Sequence, residues 1–477
     1  MKDILWTSND AAKATGGYNN CDWVASGVSI DTRTLKKGDL FISVIGDRNG
    51  HDFVAEAFSR GASAALVAYK PDNVSANMPL LVVENVRLGL EALASFARKR
   101  FKGQVIAITG SVGKTSSKDM LAHVLSNFGK VNKAEKSFNN HLGVPLTLAR
   151  SQPNSDFLIV EIGMSNKKEI APLSAMVQPH IGLITDVSEA HLASFNNVGE
   201  IAKEKSDICF GLDKHGHCVV SRDSREYTRL FKYINNFGVK IISFGESKSS
   251  MYRISKTVIK NNNTCAEAVL QSGVEFFFKV NSPGAHHAKN ALGIICILEI
   301  LRIDVAQGIF ELSNWMPSSG RGLVTNIKCN GLYSARNFTV IDETYNANPA
   351  SVTAAVKMLS NFSLLDNGAN GDRQFRRIAI LGDMLELGAN ENKKHSELVD
   401  KLNFDNIDVI HCIGSCMNFF YKKLPEGKRG RWFENAKEFS GIITEIIKDQ
   451  DIVMIKGSNS IGLDSLLKEL KAMGNPC

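Results

Sequence analysis

The sequence lacks the features that mark exported, membrane-spanning or cysteine-metal proteins. Its nine cysteines are scattered and form no Cys-x-x-Cys pair, so neither a disulfide framework nor a zinc ribbon is indicated. No stretch reaches the roughly 20 apolar residues of a membrane span, and Glu299 interrupts the best apolar run, Ala291 to Leu301. The first residues show no signal-peptide pattern. We therefore expect a cytoplasmic protein with reduced thiols.

The chain also lacks a strong excess of charge of one sign. With 56 basic and 49 acidic side chains the net charge is +7, which is mild for 477 residues. Such an excess is compatible with anionic small molecules and is weak evidence for nucleic acid. The densest basic run, Arg98 to Lys102, closes a helical pattern, where cations complement the C-terminal end of the helix dipole. We expect no nucleic-acid partner.

The length excludes a single hydrophobic core, and the pattern of elements indicates the fold class. Chains of this size divide into several domains. Strand-like and helix-like segments alternate, which predicts an α/β protein with mostly parallel sheets covered by helices on both faces. The sequence predicts three units, at residues 1–85, 86–314 and 315–477.

The clearest functional signal is a glycine loop between a strand pattern and a helix pattern. Val105 to Ile108 predicts a buried strand, and apolar side chains at helical spacing from Met120 to Phe128 predict a helix. Between them stands Thr109-Gly110-Ser111-Val112-Gly113-Lys114-Thr115-Ser116. This is the shorter GxxGKT motif, because the first glycine of the full GxxxxGK[ST] pattern would fall at Ile108.

Each residue type in this loop suits a phosphate group. Gly110 and Gly113 let the backbone approach an anion, and the following helix N-terminus offers free N–H groups. Lys114 can reach the outer phosphates, while the Thr115 hydroxyl can ligate magnesium. The alternative is an ordinary turn with a solvated lysine. The coincidence of Gly, Lys and two hydroxyls favours a nucleoside triphosphate site, without indicating which reaction.

Polar side chains follow two further strand patterns. Glu161 ends the apolar run that begins at Phe157, and His191 follows the run Ile181 to Thr185. Because the carboxyl ends of parallel strands meet at one edge of a sheet, we expect both side chains near the glycine loop. A lone Glu or His is more often a cap or a structural residue. Together with the loop they favour a metal-phosphate site.

The first unit contains its own candidate binding segment, Ser29-Ile30-Asp31-Thr32-Arg33. On a loop beside a strand, Ser29, Asp31 and Arg33 can hold a phosphorylated sugar. The alternative is a surface turn, for which Ser, Asp and Thr are also typical.

These segments and several others resemble the Mur ligase family, in family order and over nearly the whole chain. Any one motif is weak, whereas the ordered set is specific. Besides the segments quoted above, the resemblance rests on Gly38 to Phe41, Asn139 to Leu148, Glu161 to Met164, Glu189 to Leu192, Ile201 to Lys205, Gly284 to Leu292, Gly320 to Gly322, Asp342 to Pro349 and Leu381 to Gly388.

The resemblance implies an ATP-dependent amide ligase of peptidoglycan precursor synthesis, and hence of cell-wall biogenesis, cell shape and cell division. The first unit would hold a UDP-sugar peptide, the central P-loop-type unit ATP and Mg²⁺, and a Rossmann-like third unit the incoming amine. The segment Tyr345 to Pro349 favours UDP-N-acetylmuramoyl-tripeptide and D-alanyl-D-alanine as substrates. The Asp-Asn-Pro-Arg motif of the diaminopimelate-adding relatives is absent. We expect a monomer.

The same resemblance implies a role for individual residues, in four sets. The ATP-binding set is Gly110, Ser111, Val112, Gly113, Lys114, Thr115, Ser116, Asn290, Arg321 and Asp342; the catalytic set is Lys114, Asn139, Asn140, His191 and Lys205; the metal set is Thr115, Glu161, His191 and Lys205 as a carbamate; the substrate set is Ser29, Asp31, Arg33, Tyr345, Asn346 and Asn348.

Lys205 carries the most specific of these expectations. Composition alone indicates two solvated helix lysines at 203 and 205. The resemblance places a carbamylated lysine here, and the Lys-x-x-Ile spacing selects Lys205 over Lys203. Carbon dioxide adds only to a neutral amine, so we expect the site to lower the pKa of Lys205.

Three functions remain open from the sequence. The first is the D-alanyl-D-alanine ligase, and the second is a related Mur ligase or folylpolyglutamate synthase with another amine. The third is a regulator that uses ATP as a switch, which would not require several charged strand-end residues. One departure from the family also remains: His286-His287 stands where His-Asn is usual, which leaves the adenine contact open.

Overall fold

A computed structural model describes residues 3–189, 194–330, 335–362 and 375–476 and confirms an α/β protein. Its strands form sheets of five, nine and seven strands and one two-stranded pair. The three large sheets each lie inside one of the units expected from the sequence, although the unit boundaries stay a prediction. No helix of the described ranges is long and apolar enough to cross a membrane.

The first sheet is short, and both of its faces are buried. Leu40 and Ile42 contribute to one apolar cluster and Phe41 to the other, as expected for a strand covered on both sides. The elements are β1 Trp6–Thr7, α1 Ser8–Thr15, β2 Tyr18–Asn19, β3 Val24–Ala25, β4 Gly27–Ser29, β5 Asp39–Ile42, a 3-10 turn Gly50–Phe53, α2 Val54–Ser59, β6 Ala64–Val67, β7 Leu80–Val82 and α3 Val86–Arg100. The strand order is β2-β7-β6-β5-β4, antiparallel only at β2, and β1 pairs with β3.

The central sheet carries the glycine loop. Its elements are β8 Gln104–Thr109, α4 Lys114–Leu125, β9 Val131–Lys133, α5 Gly143–Ala149, β10 Phe157–Glu161, α6 Ile170–Val177, β11 Ile181–Ile184, α7 Val198–Ser206, a 3-10 turn Asp207–Gly211, β12 His217–Ser221, α8 Tyr227–Asn235, β13 Lys240–Gly245, β14 Tyr252–Lys260, β15 Asn263–Val269, β16 Glu275–Val280, α9 Ala285–Ile300 and α10 Val305–Leu312. The order is β16-β15-β14-β13-β12-β11-β8-β10-β9, parallel from β9 to β14. Side chains of β8 alternate between two apolar clusters, one on each face.

The third sheet repeats this arrangement with an antiparallel edge. Its elements are β17 Leu323–Asn330, β18 Ala335–Glu343, α11 Pro349–Asn361, β19 Arg377–Gly382, α12 Glu391–Lys401, β20 Val409–Ile413, α13 Met417–Lys423, a 3-10 turn Glu426–Lys428, β21 Arg429–Phe433, α14 Ala436–Ser440, α15 Ile443–Ile446, β22 Ile452–Lys456, a 3-10 turn Asn459–Ile461, α16 Asp464–Ala472 and β23 Asn475–Pro476. The order is β21-β20-β19-β22-β18-β17-β23, antiparallel only at β17.

Helices α3 and α5 connect the first sheet to the central one. Leu90 and Leu93 of α3 pack in the first sheet's cluster, whereas Ala94 packs in a central cluster. Two hydrogen bonds add to this contact. Trp6 Nε1 donates to the Ala149 carbonyl at 2.9 Å, and Arg150 Nε donates to the Val28 carbonyl at 2.6 Å.

The sequence located most of these elements and missed one group. The apolar runs around the glycine loop, and those at 339–341, 378–381, 409–412 and 452–455 in the third unit, are strands, as their patterns predict. Apolar spacing also predicts one helix over Phe439 to Ile447, which is wrong, because two short helices are separated there at Gly441-Ile442. The antiparallel strands β14 to β16 were not predicted. Their exposed face mixes lysines with Val258 and Phe277, so the usual alternation of polar and apolar side chains is weak.

The central core generates a stability prediction at Ile106, which is fully buried in β8. Ile106→Ala should lower the free energy of unfolding by about 2–5 kcal/mol, because it leaves a cavity, and Ile106→Val by about 0.5–1.5 kcal/mol. Native-state hydrogen exchange of the β8 amides measures the loss, with the amides of β19 as an internal control. Equal protection in the two variants would contradict this packing.

Candidate active site

The glycine loop has a backbone conformation that requires glycine. Gly110 has φ 154° and Gly113 has φ 83°, both in the region that side chains disfavour. A Cβ on Gly110 would lie 1.9 Å from Thr185 Oγ1, and one on Gly113 would lie 3.0 Å from Asn290 Oδ1. The loop is therefore closely packed between the end of β11 and helix α9, and it presents the N-terminus of α4.

Lys114 begins helix α4 and folds back over the loop. Its Nζ donates to the Gly110 carbonyl at 2.7 Å, and the side chain is half-buried. Burial lowers the pKa of Lys114, against the attraction of Glu161, and Arg321 lowers it further. The lysine is thus held beside the loop, where an anion with several charges would favour its charged form.

Glu161 is the carboxylate around which the site is arranged. It is fully buried at the end of β10. Its Oε2 accepts a hydrogen bond from Thr115 Oγ1 at 2.9 Å, and its Oε1 accepts one from Asn139 Nδ2 at 2.8 Å. Lys118 Nζ lies 3.7 Å from Oε2 and also donates to the Lys136 carbonyl. A buried carboxylate needs such partners to remain ionised.

The oxygen groups around Glu161 suit a hard cation. Thr115 Oγ1 lies 3.0 Å from Ser137 Oγ, so two hydroxyls stand beside the carboxylate. Magnesium prefers one or two carboxylates with further oxygen donors. Within the described ranges, no three His, Cys, Asp or Glu side chains converge as a metal site. His191, expected as a ligand, lies outside the described residues.

Lys205 lies at the end of α7 with its ammonium group removed from water. The side chain is 1% exposed, and its contact is Met164 Sδ at 3.9 Å. Burial lowers the pKa of Lys205 well below its ordinary value, and the charge of Lys114 lowers it further. Lys203, two residues earlier, is exposed. The structure therefore distinguishes the two lysines in the direction that the carbamate expectation requires.

Arg321 connects the third unit to the glycine loop. Its Nη2 donates to Thr115 Oγ1 at 3.1 Å and to Ser137 Oγ at 3.3 Å. Its guanidinium also lies 4.0 Å from the ring centroid of Tyr345, as a cation–π contact. Arg321 and Tyr345 thus bring the loop before β17 and the loop after β18 against the helix that carries Lys114.

Asp342, expected near ATP, holds the backbone of these same loops. Its Oδ2 accepts from Ser319 Oγ and from the Gly320 N–H, both at 2.7 Å. Its Oδ1 accepts from Thr344 Oγ1 at 2.7 Å. The carboxylate is buried and uses both oxygens for these bonds. In this arrangement Asp342 positions the segment that carries Arg321.

Three predicted asparagines also have local structural partners. Asn140 Oδ1 accepts from the Gly143 N–H at 2.9 Å, at the start of α5. Asn348 Oδ1 accepts from the Ser351 N–H at 2.8 Å and caps α11. Asn346 Oδ1 accepts from the adjacent Ala347 N–H. Of the predicted asparagines, Asn139 contacts Glu161 directly, whereas Asn346 and Asn348 line the cavities described next.

A cavity of about 400 Å³ lies between the glycine loop, helix α9 and the third sheet. Its volume is in the range of small-molecule sites. Predicted residues lining it are Ser111, Val112, Gly113, Ser116, Asn290, Arg321, Asn346 and Asn348.

Sequence reasoning missed several charged residues of this region, among them Lys456, Glu343 and Lys118. Lys456 lines the cavity, and its Nζ lies 3.1 Å from Glu343 Oε2 and donates to the Asn346 carbonyl at 3.0 Å. Lys118 contacts Glu161 as described. A lysine four residues after Lys114 lies on the same helix face, which was the available signal for Lys118. Lys456 ends an apolar strand pattern, a signal as weak as that for Glu161.

His287 occupies the position where the sequence departs from the family. It is 1% exposed, and neither ring nitrogen has a hydrogen-bond partner among the described residues. Its ring lies 4.0 Å from that of His286 and 5.5 Å from that of Trp315, between centroids. Burial lowers the pKa of His287 well below its ordinary value, and the charge of His286 lowers it further.

The candidate sugar-phosphate residues lie together at the end of β4. Arg33 Nη2 donates to Asp31 Oδ2 at 2.7 Å and Arg33 Nε to Oδ1 at 2.9 Å, while Ser29 Oγ donates to the Asp31 carbonyl. The hydrogen bond from Arg33 lowers the pKa of Asp31, and the charge of Lys136 lowers it further. Lys136 lies three residues before Asn139, whose amide contacts Glu161. The loop that carries Asp31 therefore lies near the segment that contacts Glu161.

Comparisons with known proteins agree with this arrangement. Residues 108–298 match the model of the Mur ligase middle domain, and residues 331–459 match that of the Mur ligase, glutamate ligase domain. In structure, the chain is similar to MurF from Acinetobacter baumannii, with a TM-score of 0.81 and 24% identity over 98% of this chain and 99% of that one. A MurF ligase from Thermotoga maritima in complex with ADP has a TM-score of 0.75 and 23% identity, covering 94% and 97%.

Curated relatives extend the likeness to nearly the full length. The UDP-N-acetylmuramoyl-tripeptide–D-alanyl-D-alanine ligase of Rickettsia prowazekii is 30% identical over 97% of this chain and 99% of its own. The enzyme of the same name from Escherichia coli is 27% identical over 96% of each. Since two domain models and a full-length relative at this identity agree with the glycine loop and its buried carboxylate, the chain belongs to the Mur ligase family.

Proposed function

We propose that this chain is the ATP-dependent ligase that adds D-alanyl-D-alanine to UDP-N-acetylmuramoyl-tripeptide during peptidoglycan precursor synthesis. One observation carries the proposal. The guanidinium of Arg321 reaches the Thr115 hydroxyl on the glycine-loop helix, so two units share one cavity beside a buried carboxylate. Relatives bearing that ligase name match almost the whole chain. The likeness in structure adds support for the fold alone.

Different residues at and beside the cavity would contact different parts of a nucleotide. The free N–H groups at the start of α4 and the Lys114 ammonium face the phosphate chain. Asn290 is placed beside Gly113 to meet the base side, and Arg321 counters charge from the third unit. Magnesium bound by Glu161 and the Thr115 hydroxyl would neutralise part of the phosphate charge. These donors are all oxygen atoms, as that ion prefers.

The proposed reaction explains why cationic groups converge and no protein nucleophile is needed. A carboxylate resists attack because its carbon already carries electron density from an anionic group. Transfer of the terminal phosphoryl group of ATP to that carboxylate gives an acyl phosphate, which the amine attacks with loss of phosphate. Lys114 and Arg321 stabilise the negative charge that both steps concentrate. Loops from the third unit over the cavity exclude water.

We propose that one chain performs the whole reaction as a monomer in the cytoplasm. We also propose that residues 1–85 bind the UDP-sugar peptide, residues 86–314 bind ATP and residues 315–477 bind the amine. The Arg33–Asp31 pair would meet the phosphorylated sugar, and Tyr345, Asn346 and Asn348 would border the amine.

The first test is the amine dependence of ATP turnover. Release of phosphate from ATP should require both UDP-N-acetylmuramoyl-tripeptide and D-alanyl-D-alanine, because the acyl phosphate is consumed only by the amine. A panel with diaminopimelate, lysine and glutamate should give little release. Preference for one of these amines would indicate a different relative, and equal turnover with ATP alone would indicate a nucleotide switch.

Lys114 provides the second test. Lys114→Ala should abolish ligation, because the ammonium group stabilises phosphate charge. It should not unfold the protein, because desolvation of that ammonium group costs free energy in the protein without ligand. The exposed Lys130→Ala serves as control and should keep full activity. Steady-state phosphate release and thermal melting measure both effects. Ligation at a near-normal rate in Lys114→Ala would remove the glycine loop from the mechanism.

Lys205 provides the third test. We expect it to be a carbamate, since burial favours the neutral amine that carbon dioxide attacks. Activity should fall in carbon-dioxide-free buffer at mildly acidic pH, where the lysine is protonated and the carbamate is lost, and bicarbonate should restore it. Lys205→Ala should be nearly inactive, and Lys203→Ala close to normal. An unmodified Lys205 by intact-mass analysis of fully active enzyme would overturn this assignment.

A further inference from the structure

A second cleft, also of about 400 Å³, lies on the other side of the loops that close the nucleotide cavity. It runs from Lys114 on the glycine-loop helix to Glu386, in the loop that follows β19, and to Ser458, which follows β22. Ser111 and Asn346 line both the cleft and the nucleotide cavity. Tyr345 lines the cleft, while Arg321, which packs on its ring, lines the cavity. The cleft therefore opens beside the phosphate site.

The charges in this cleft are few and of opposite sign. Among the described residues that line it, the charged ones are Lys114 and Glu386. Leu385, Leu387 and Ala347 supply apolar surface between the polar groups. A ligand that fits would be small and would carry a cationic group and short apolar side chains. The cationic group would lie toward Glu386, because Lys114 repels it.

The backbone holds Glu386 in an unusual conformation. Its φ is 63°, in the left-handed region that a long side chain adopts only at a cost in free energy. Three hydrogen bonds hold the flanking residues. The Met384 N–H donates to His395 Nε2, the Leu385 N–H to Ser458 Oγ, and Lys394 Nζ to the Leu387 carbonyl. Such retained strain is typical of residues placed for binding.

We propose that Glu386 binds the ammonium group of the incoming D-alanyl-D-alanine and positions its nitrogen. The ammonium group loses one proton to solvent, the neutral nitrogen then forms the C–N bond with the acyl carbon, and phosphate leaves with the second N–H proton. The proposal rests on the function proposed above and adds the residue that selects the amine. An α-amino group has a pKa near 8, so most of the dipeptide arrives as a cation at neutral pH. A carboxylate is its natural partner. The two methyl groups of the dipeptide would lie against Leu385 and Leu387.

The test separates the three substrates by their KM values. Glu386→Gln keeps the shape and removes the charge, so KM for D-alanyl-D-alanine should rise about tenfold or more. KM for ATP and for UDP-N-acetylmuramoyl-tripeptide should stay unchanged. The ADP burst formed without amine should also be unchanged, because acyl phosphate formation precedes amine binding. Glu426→Gln, which changes an exposed carboxylate of the third unit outside the cleft, is the matched control.

A second variant separates binding from structure. Glu386→Gly removes the strain at positive φ, so Tm should rise while KM for the dipeptide still increases. An unchanged dipeptide KM in Glu386→Gln, with ligation intact in the parent protein, would overturn the assignment of Glu386 alone. An equal rise in all three KM values would overturn it too, since that is the signature of a disturbed loop. Absence of any ligation in the parent protein would instead refute the proposed function.

Discussion

The buried carboxylate of Glu161 is the constraint on which the site depends. A fully buried anion must be surrounded by donors, and the structure supplies them from three places in the chain. Thr115 donates from the glycine-loop helix, Asn139 donates from the loop before α5, and Lys118 contributes charge from one turn further along α4. Removing Glu161 would leave these groups without their common partner. The glycine loop is thus oriented by an ionic group as well as by its own backbone.

The connection between the central and third sheets depends on a second buried carboxylate. Asp342 holds Ser319, Gly320 and Thr344 together and so fixes the two ends of the hairpin formed by β17 and β18. Arg321 projects from this clamp to the Thr115 hydroxyl. Arg321 also packs on the ring of Tyr345, so the side chain that lines the nucleotide cavity contacts one that lines the cleft containing Glu386.

Burial lowers the pKa of two basic side chains, with different consequences. Lys205 is desolvated beside a thioether and near Lys114, which favours a reactive amine. His287 is desolvated against His286 and Trp315 and has no hydrogen-bond partner among the described residues. The first is the condition that the carbamate proposed at Lys205 requires, because carbon dioxide adds only to a neutral amine. The second places an imidazole beside the nucleotide cavity, at the position where the sequence departs from the family.

The sequence by itself determined the buried parallel strands around the glycine loop, the loop itself and the family, because these depend on local patterns: apolar runs, glycines and ordered motifs. It also placed Glu161 at a strand end, where parallel topology brings it to the loop. Only the tertiary structure decided which polar side chains line the cavities and which hydrogen-bond the backbone. Asn348 and Asp342, both expected near ligands, also make cap and loop contacts. Burial and hydrogen-bond partners come from segments far apart in the chain, so no local pattern encodes them. For the same reason the strained Glu386 became visible only in the fold.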